Sequence, residues 1–316
     1  MKKKLLFLML ALTGLVGGSF DVFAAEKTTS PYTGITIEEA AGRTDLFLYN
    51  VESGYWLQEN NRQRGSFNTR GNLDAYGFDV EITAIEGGYR INPKFNHNNS
   101  MNGSNWYLDT GDDVTAWTFN PITKEGVSNA YQIKYGSDWL HATPETDNFY
   151  LIRNNVEARA TWQIVTLAER LTYLQENATE DNPLDATFLI QAFDLANEDS
   201  RMSSWVAAQD GGNSDWNRAD DGDNGYRCLR AHGYWNTKTC SYTQTIANVP
   251  DGIYEFYCTG FYRDGNRDQC QERRQAGTET IRGFMVLNDE RAPLMSILDA
   301  DDFRPERCLD VDAPLI

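Results

Sequence analysis

The chain has 316 residues, 41% of them hydrophobic and 23% charged. That balance belongs to a globular protein with room for two ordinary domains and excludes a polytopic membrane protein. Asp and Glu number 46 against 28 Lys and Arg, a formal charge of −18, so phosphate backbones are repelled and nucleic acid is excluded as a partner.

The N-terminus carries targeting chemistry. Lys2-Lys3-Lys4 precedes an apolar run from Leu5 to Val16, and Val22-Phe23-Ala24 supplies the −3 and −1 positions for cleavage. Residues 1–24 are therefore expected to be a secretory signal, too short in its apolar part for a stable span. Its removal takes away three lysines and Asp21 and moves the charge from −18 to −20. No other apolar stretch approaches twenty residues, so no transmembrane segment is expected. The expected location is the periplasm, the cell surface or the extracellular space.

Residues 27–165 contain a repeat. Phe47-Leu48-Tyr49-Asn50, Tyr89-Arg90-Ile91-Asn92 and Tyr131-Gln132-Ile133-Lys134 begin 42 residues apart. Each is followed by a polar turn and a Trp: Trp56, Trp106 and Trp139. Each unit closes on an aromatic step: Phe78-Asp79-Val80, Trp117-Thr118-Phe119 and Trp162-Gln163-Ile164. A fixed period means one supersecondary unit that cannot bury its apolar face alone. Three all-β units about a pseudo-threefold axis predict a β-trefoil-like domain, since three blades do not close a propeller. Phe78, Trp117 and Trp162 read as core. Trp56, Trp106 and Trp139 read either as core or as platforms for a ligand. The Gly-x-x-Trp and closing aromatic steps resemble the ricin-type lectin trefoil, although Gln163 here follows Trp162 where that family's closing Gln precedes its Trp. The resemblance implies a trefoil fold and sugar binding.

Residues 166–183 carry Leu167, Leu171 and Leu174 at helical spacing and then Asn182-Pro183, which predicts a short helical linker. From 184 to 316 the pattern is strand again: Trp205-Val206-Ala207-Ala208, Tyr226 to Arg230, Ser241 to Ile246, and a long run from Ile253 to Arg263 after the Pro250-Asp251-Gly252 turn. Such spacing predicts an antiparallel β-sandwich. Asn182 to Ile190, Pro250 to Tyr254 and Gly260 to Arg263 resemble secreted Bacteroidota proteins with a galactose-binding-like jelly roll. Trp162 to Arg170 is similar to the segment that joins a trefoil-like domain to it. That resemblance implies a non-catalytic, carbohydrate-binding module. It also implies final strands beyond Gly283 to Asn288 that the sequence does not supply, so the sandwich is expected to be incomplete.

Trp216, Tyr226, Trp235 and Tyr262 are the candidate ligand aromatics of this second region, and Trp205 reads as core. In Asp220-Asp221-Gly222-Asp223, Asp221 and Asp223 offer hard oxygens to a structural Ca2+, against the plainer reading of a solvated acidic turn. Cys228, Cys240, Cys258, Cys270 and Cys308 are an odd set whose pairing spacing does not decide. With three His, and with no Gly-x-Ser-x-Gly, His-Glu-x-x-His or phosphate-binding loop, no cofactor and no catalysis are expected. The chain therefore reads as an all-β, secreted, non-catalytic carbohydrate-binding protein. An adhesive protein–protein module and a divergent glycosidase are the alternatives.

Overall fold

The computed structural model describes residues 28–60, 69–74, 76–93, 100–101, 107–109, 115–145, 148–154, 159–191, 205–210, 215–220, 227–232, 239–257, 261–262, 264–265 and 267–299. The fold is all-β, with antiparallel pairing dominant.

Twelve strands form the first sheet system. They are β1 (Leu46–Asn50), β2 (Tyr55–Asn60), β3 (Thr69–Asp74), β4 (Val80–Ile85), β5 (Gly88–Pro93), β6 (Ser100–Met101), β7 (Tyr107–Asp109), β8 (Thr118–Lys124), β9 (Val127–Tyr135), β10 (Asp138–Glu145), β11 (Asn148–Asn154) and β12 (Trp162–Thr166). Six of them close into a ring. β1 pairs with β12, β12 with β9, and β9 with β8. Trp117, just before β8, bridges to Tyr89 in β5; β5 pairs with β4, and β4 returns to β1 through Val80 and Leu46. The remaining strands form hairpins β2–β3, β6–β7 and β10–β11, with β3 joining the other two pairs. A six-stranded barrel with three hairpins is the connectivity of a β-trefoil.

The threefold relation extends to single hydrogen bonds. Trp162 Nε1 donates to the Leu140 carbonyl and Trp117 Nε1 to the Met101 carbonyl, each at 2.8 Å. Phe78 has no indole, and its backbone N–H donates to the Leu57 carbonyl at 3.1 Å. Trp117 and Trp162 are fully buried, in one cluster with Leu57, Met101 and Leu140, and Phe78 packs against it. The closing aromatics are therefore core, and in two repeats they also donate a hydrogen bond to a backbone carbonyl.

The inward-facing residues of the repeat starts are Leu48, Ile91 and Ile133. This register differs by one residue in the first repeat from the alignment of Phe47 with Tyr89 and Tyr131. A one-residue slip reverses every side chain of a strand. Phe47 and Tyr49 thus face outward into a second cluster, whereas Tyr89 and Tyr131 belong to the barrel core. Both registers place aromatics at the repeat starts, so sequence spacing alone did not separate them.

A short helix α1 (Ile37–Ala40) is held by a capping box between Thr36 and Glu39 and drops Ile37 and Ala40 into the barrel core. Helix α2 (Leu167–Asn177) follows β12, with Thr166 as its N-cap accepting from Glu169 N. It lies within the predicted linker but is tied to the barrel. Glu169 accepts the N–H groups of Thr33 and Gly34, and Gln163 Nε2 donates to the carbonyls of Tyr32 and Ser128. The arm before β1, the barrel wall and α2 are thereby laced together.

The second region contains β13 (Val206–Asp210), β14 (Asp215–Asp220), β15 (Arg227–His232), β16 (Thr239–Thr243), β17 (Phe261–Tyr262), helix α3 (Arg267–Gln275), β18 (Phe284–Leu287), β19 (Glu290–Pro293) and β20 (Met295–Ser296). Among the described residues they form separate pairs: β13–β16, β14–β15 and β18–β19 are antiparallel, and β17–β20 is parallel. Two readings change here. Thr187–Leu189 is a 3-10 turn in place of a strand, because Asp185 Oδ1 accepts the Thr187 N–H and starts a local turn. Of the run from Ile253 to Arg263, only Phe261–Tyr262 is strand among the described residues, and Ile253 and Tyr257 are exposed. β-propensity becomes a strand only where a neighbour is available to pair. Helix α3 had no apolar stripe to announce it. It is anchored instead by charge, with buried Asp264 held by Arg273, Arg282 and the Thr280 N–H. Burial alone raises the Asp264 pKa, and these three partners outweigh it and hold it below the usual carboxylate value.

The indole bonds yield a prediction. Trp117→Phe removes the indole hydrogen bond to the Met101 carbonyl and is expected to cost about 1–3 kcal/mol, while Trp117→Ala adds a cavity and costs about 3–5 kcal/mol. Urea denaturation of the two variants checks the order.

Candidate functional site

The outer wall of the barrel carries two equivalent rows of side chains. In the first repeat, cross-strand pairing aligns Gln163 of β12, Tyr49 of β1 and Trp56 of β2. In the third repeat it aligns Thr118 of β8, Lys134 of β9 and Trp139 of β10. The rows correspond because Leu57 and Leu140, one residue beyond each Trp, accept from the equivalent closing residues Phe78 and Trp162. In the second repeat Met101 takes that place, so Ser100 stands where Trp56 and Trp139 stand.

The two rows differ in what covers them. Over the first, Arg170 from α2 is 3% exposed. Its guanidinium carbon lies 3.8 Å from the Trp56 ring centroid, 4.4 Å from Phe47 and 3.6 Å from Phe188. Its Nη1 donates to the Tyr76 carbonyl at 2.9 Å. Tyr32 closes the side, in ring contact with Trp56, Tyr49 and Tyr173. Burial pushes the Arg170 pKa below its ordinary value, yet the group stays protonated at neutral pH, and the surrounding ring faces offset its lost hydration. Gly77, at φ +62°, lets the chain pass against Trp56, where a Cβ would overlap the Trp56 Cβ. This row is filled by the protein's own side chains.

The third-repeat row is more open. Thr118 is exposed, and Lys134 and Trp139 are half-buried. Lys134 Nζ lies 3.6 Å from the Trp139 ring centroid. Next along the same outward face, Asn120 pairs across from Gln132, both half-buried, while Phe119 and Ile133 point inward to the core. The β9–β10 turn is tight, with Gly136 at φ +59°. Strands about 4.8 Å apart set Thr118 and Trp139 on the order of 10 Å from each other, a disaccharide's length. One aromatic plane beside amides, a hydroxyl and an ammonium can take a sugar by stacking and hydrogen bonding.

The expected site residues divide accordingly. Trp56 is 4% exposed inside the Arg170 cluster, so its ring belongs to packing. Trp139 lies on the more open wall. Trp216 is in β14, opposite Ala231. Tyr262 is buried in β17, 5% exposed. Trp106, Tyr226, Trp235, Asp221 and Asp223 lie outside the described residues, and so does the signal segment. Cys270 is buried, its thiol 3.6 Å from the Gly265 carbonyl. Among the described residues no group of three His, Cys, Asp or Glu side chains is placed to hold a metal ion. Sequence reading missed Thr118, Asn120, Gln132, Lys134 and Arg170. A signal for Lys134 existed: it is the cation in a series that runs Tyr49, Asn92, Lys134 in the corrected register.

No family model and no curated protein matches this chain. Solved structures with weak similarity are the lysenin pore, 16% identical with TM-score 0.32 over 43% of this chain and 50% of that one, and a Culex quiquefasciatus salivary protein of the Cysteine and Tryptophan-Rich family, 18% identical with TM-score 0.32 over 40% of this chain and 96% of that one. A complex of lysenin with phosphocholine aligns at 16% identity and TM-score 0.28, over 40% of this chain and 45% of that one. The alignments thus span about half of the lysenin chains.

Two measurements test the filled row. Arg170→Ala is expected to cost about 2–5 kcal/mol by opening a hole among aromatics, read by urea denaturation. Burial raises the Tyr49 pKa to about 12 and pushes Tyr32 up further. In the unfolded chain both ionise near pH 10. Between pH 10 and 12 the folded state then holds more protons than the unfolded state, and the stability these phenols contribute is lost as pH rises through that window. Ultraviolet titration should lose its latest-ionising phenols in Tyr32→Phe and Tyr49→Phe variants, and denaturant midpoints should fall above pH 10.

Proposed function

We propose that the chain is a secreted, non-catalytic protein that binds extracellular glycans on the wall of its trefoil. The observation that carries this reading is the half-buried Trp139 beside Lys134, Thr118, Asn120 and Gln132 on one outward face. A sugar face laid on an indole hides about 100 Å2 of apolar surface, worth roughly 2–3 kcal/mol before association costs. One such contact with a few hydrogen bonds gives millimolar affinity, adequate for a module that acts beside another binding unit.

A second reading is favoured by a different observation. In the second region Ile253 and Tyr257 are 82% and 83% exposed, and Val286 and Met295 are also exposed. Exposed apolar side chains in that number support protein–protein contact as the work of this half, with or without sugar binding by the other.

Trp139→Ala is expected to weaken retardation in polysaccharide-containing native gels at least tenfold, while changing the melting temperature far less than Trp162→Ala does. Unchanged retardation in Trp139→Ala, or none by the folded wild type on plant, host and microbial polysaccharides, counts against the glycan reading.

A further inference from the structure

The barrel presents the same wall position twice, and the two copies differ in a way that bears on ligand charge. In the first repeat the residue across from Trp56 is Tyr49, and the cation above the indole comes from elsewhere in the chain, as Arg170 of α2. In the third repeat the residue across from Trp139 is itself a cation, Lys134, with its ammonium 3.6 Å from the ring centroid. Among the described residues no carboxylate pairs with Lys134. The charge is thus half-buried on an indole face in a chain where acids outnumber bases by 46 to 28. At physiological salt the surplus acid is screened beyond about 8 Å, so the group at contact decides which ligand is accepted.

We propose that the third-repeat wall is selective for a carboxylated sugar, with the carboxylate on Lys134 Nζ, the apolar ring face on Trp139, and hydroxyls on Thr118, Asn120 and Gln132. The inference rests on the glycan-binding reading above and names its substrate class. A neutral sugar that stacks on Trp139 must displace the ammonium from the ring face and gives it no counter-charge. A carboxylated sugar exchanges the cation–π contact for a charge-assisted hydrogen bond and frees the same face for stacking. Arg170 fills the corresponding space over Trp56, so the first-repeat copy is closed to ligand and the selectivity belongs to the third repeat alone.

Uronates and sialic acids both carry the required carboxylate, and the test separates them. Calorimetric titration of the full mature chain would use an oligogalacturonate, its methyl ester, sialyllactose and lactose. Selectivity predicts at least tenfold weaker binding of the methyl ester than of the galacturonate, or of lactose than of sialyllactose, and whichever pair responds identifies the source. Lys134→Gln should abolish that preference and Lys134→Arg should keep it, with both variants showing the wild-type circular dichroism spectrum. Equal binding of charged and neutral partners, lost in Trp139→Ala, overturns the selectivity and leaves the glycan reading standing. No binding of any of the four by folded protein also overturns the selectivity, and the glycan reading is then decided by the native-gel retardation alone.

Discussion

Closure of the barrel is the constraint on which the rest depends. None of the three repeats can cover its own apolar face, and the fold exists only when β12 comes back to lie along β1 over the full Leu46–Asn50 strand. That pairing joins residues more than a hundred positions apart in sequence, so its loop-closure entropy must be met by the core that it completes. The core meets it with three chemically similar closing residues. Two of them, Trp117 and Trp162, bury an indole and donate a hydrogen bond to a carbonyl in one placement.

Once the barrel closes, its inner face is committed to packing and its outer wall is left to diverge. The first repeat spends its wall on architecture. Tyr32 from the arm, Arg170 from α2 and Phe188 from the following turn converge on Trp56 and Phe47. This ties α2, in the segment expected to be a helical linker, to the barrel, and it brings the start of the second region onto the barrel through Phe188. The third repeat keeps the same wall position half-exposed and puts Lys134 on it. Repetition supplies several equivalent positions, and closing one with the chain's own residues leaves another available for a ligand.

Much of this was legible in the sequence, and the misses have physical causes. The closing aromatics, the existence of a threefold unit and helix α2 were readable because periodicity is a local signal. The register of the first repeat was not, because Phe47 and Leu48 are both good strand residues and only packing against Ile91 and Ile133 tells inside from outside. Trp56 and Trp139 look alike in sequence, each after a polar turn, yet one is sealed by an arginine more than a hundred residues away and the other is not. The Ile253 run shows the converse, a strong strand signal that remains mostly unpaired among the described residues.

The sequence by itself determined the acidic charge, the β-rich composition, the period and the residues that close each repeat, because these follow from residue type and spacing. Tertiary structure decided which face each aromatic presents and which of two equivalent tryptophans remains open. It also decided where Lys134 sits relative to Trp139. Those outcomes depend on strand register and on long-range packing of the arm and α2, and a linear pattern carries neither.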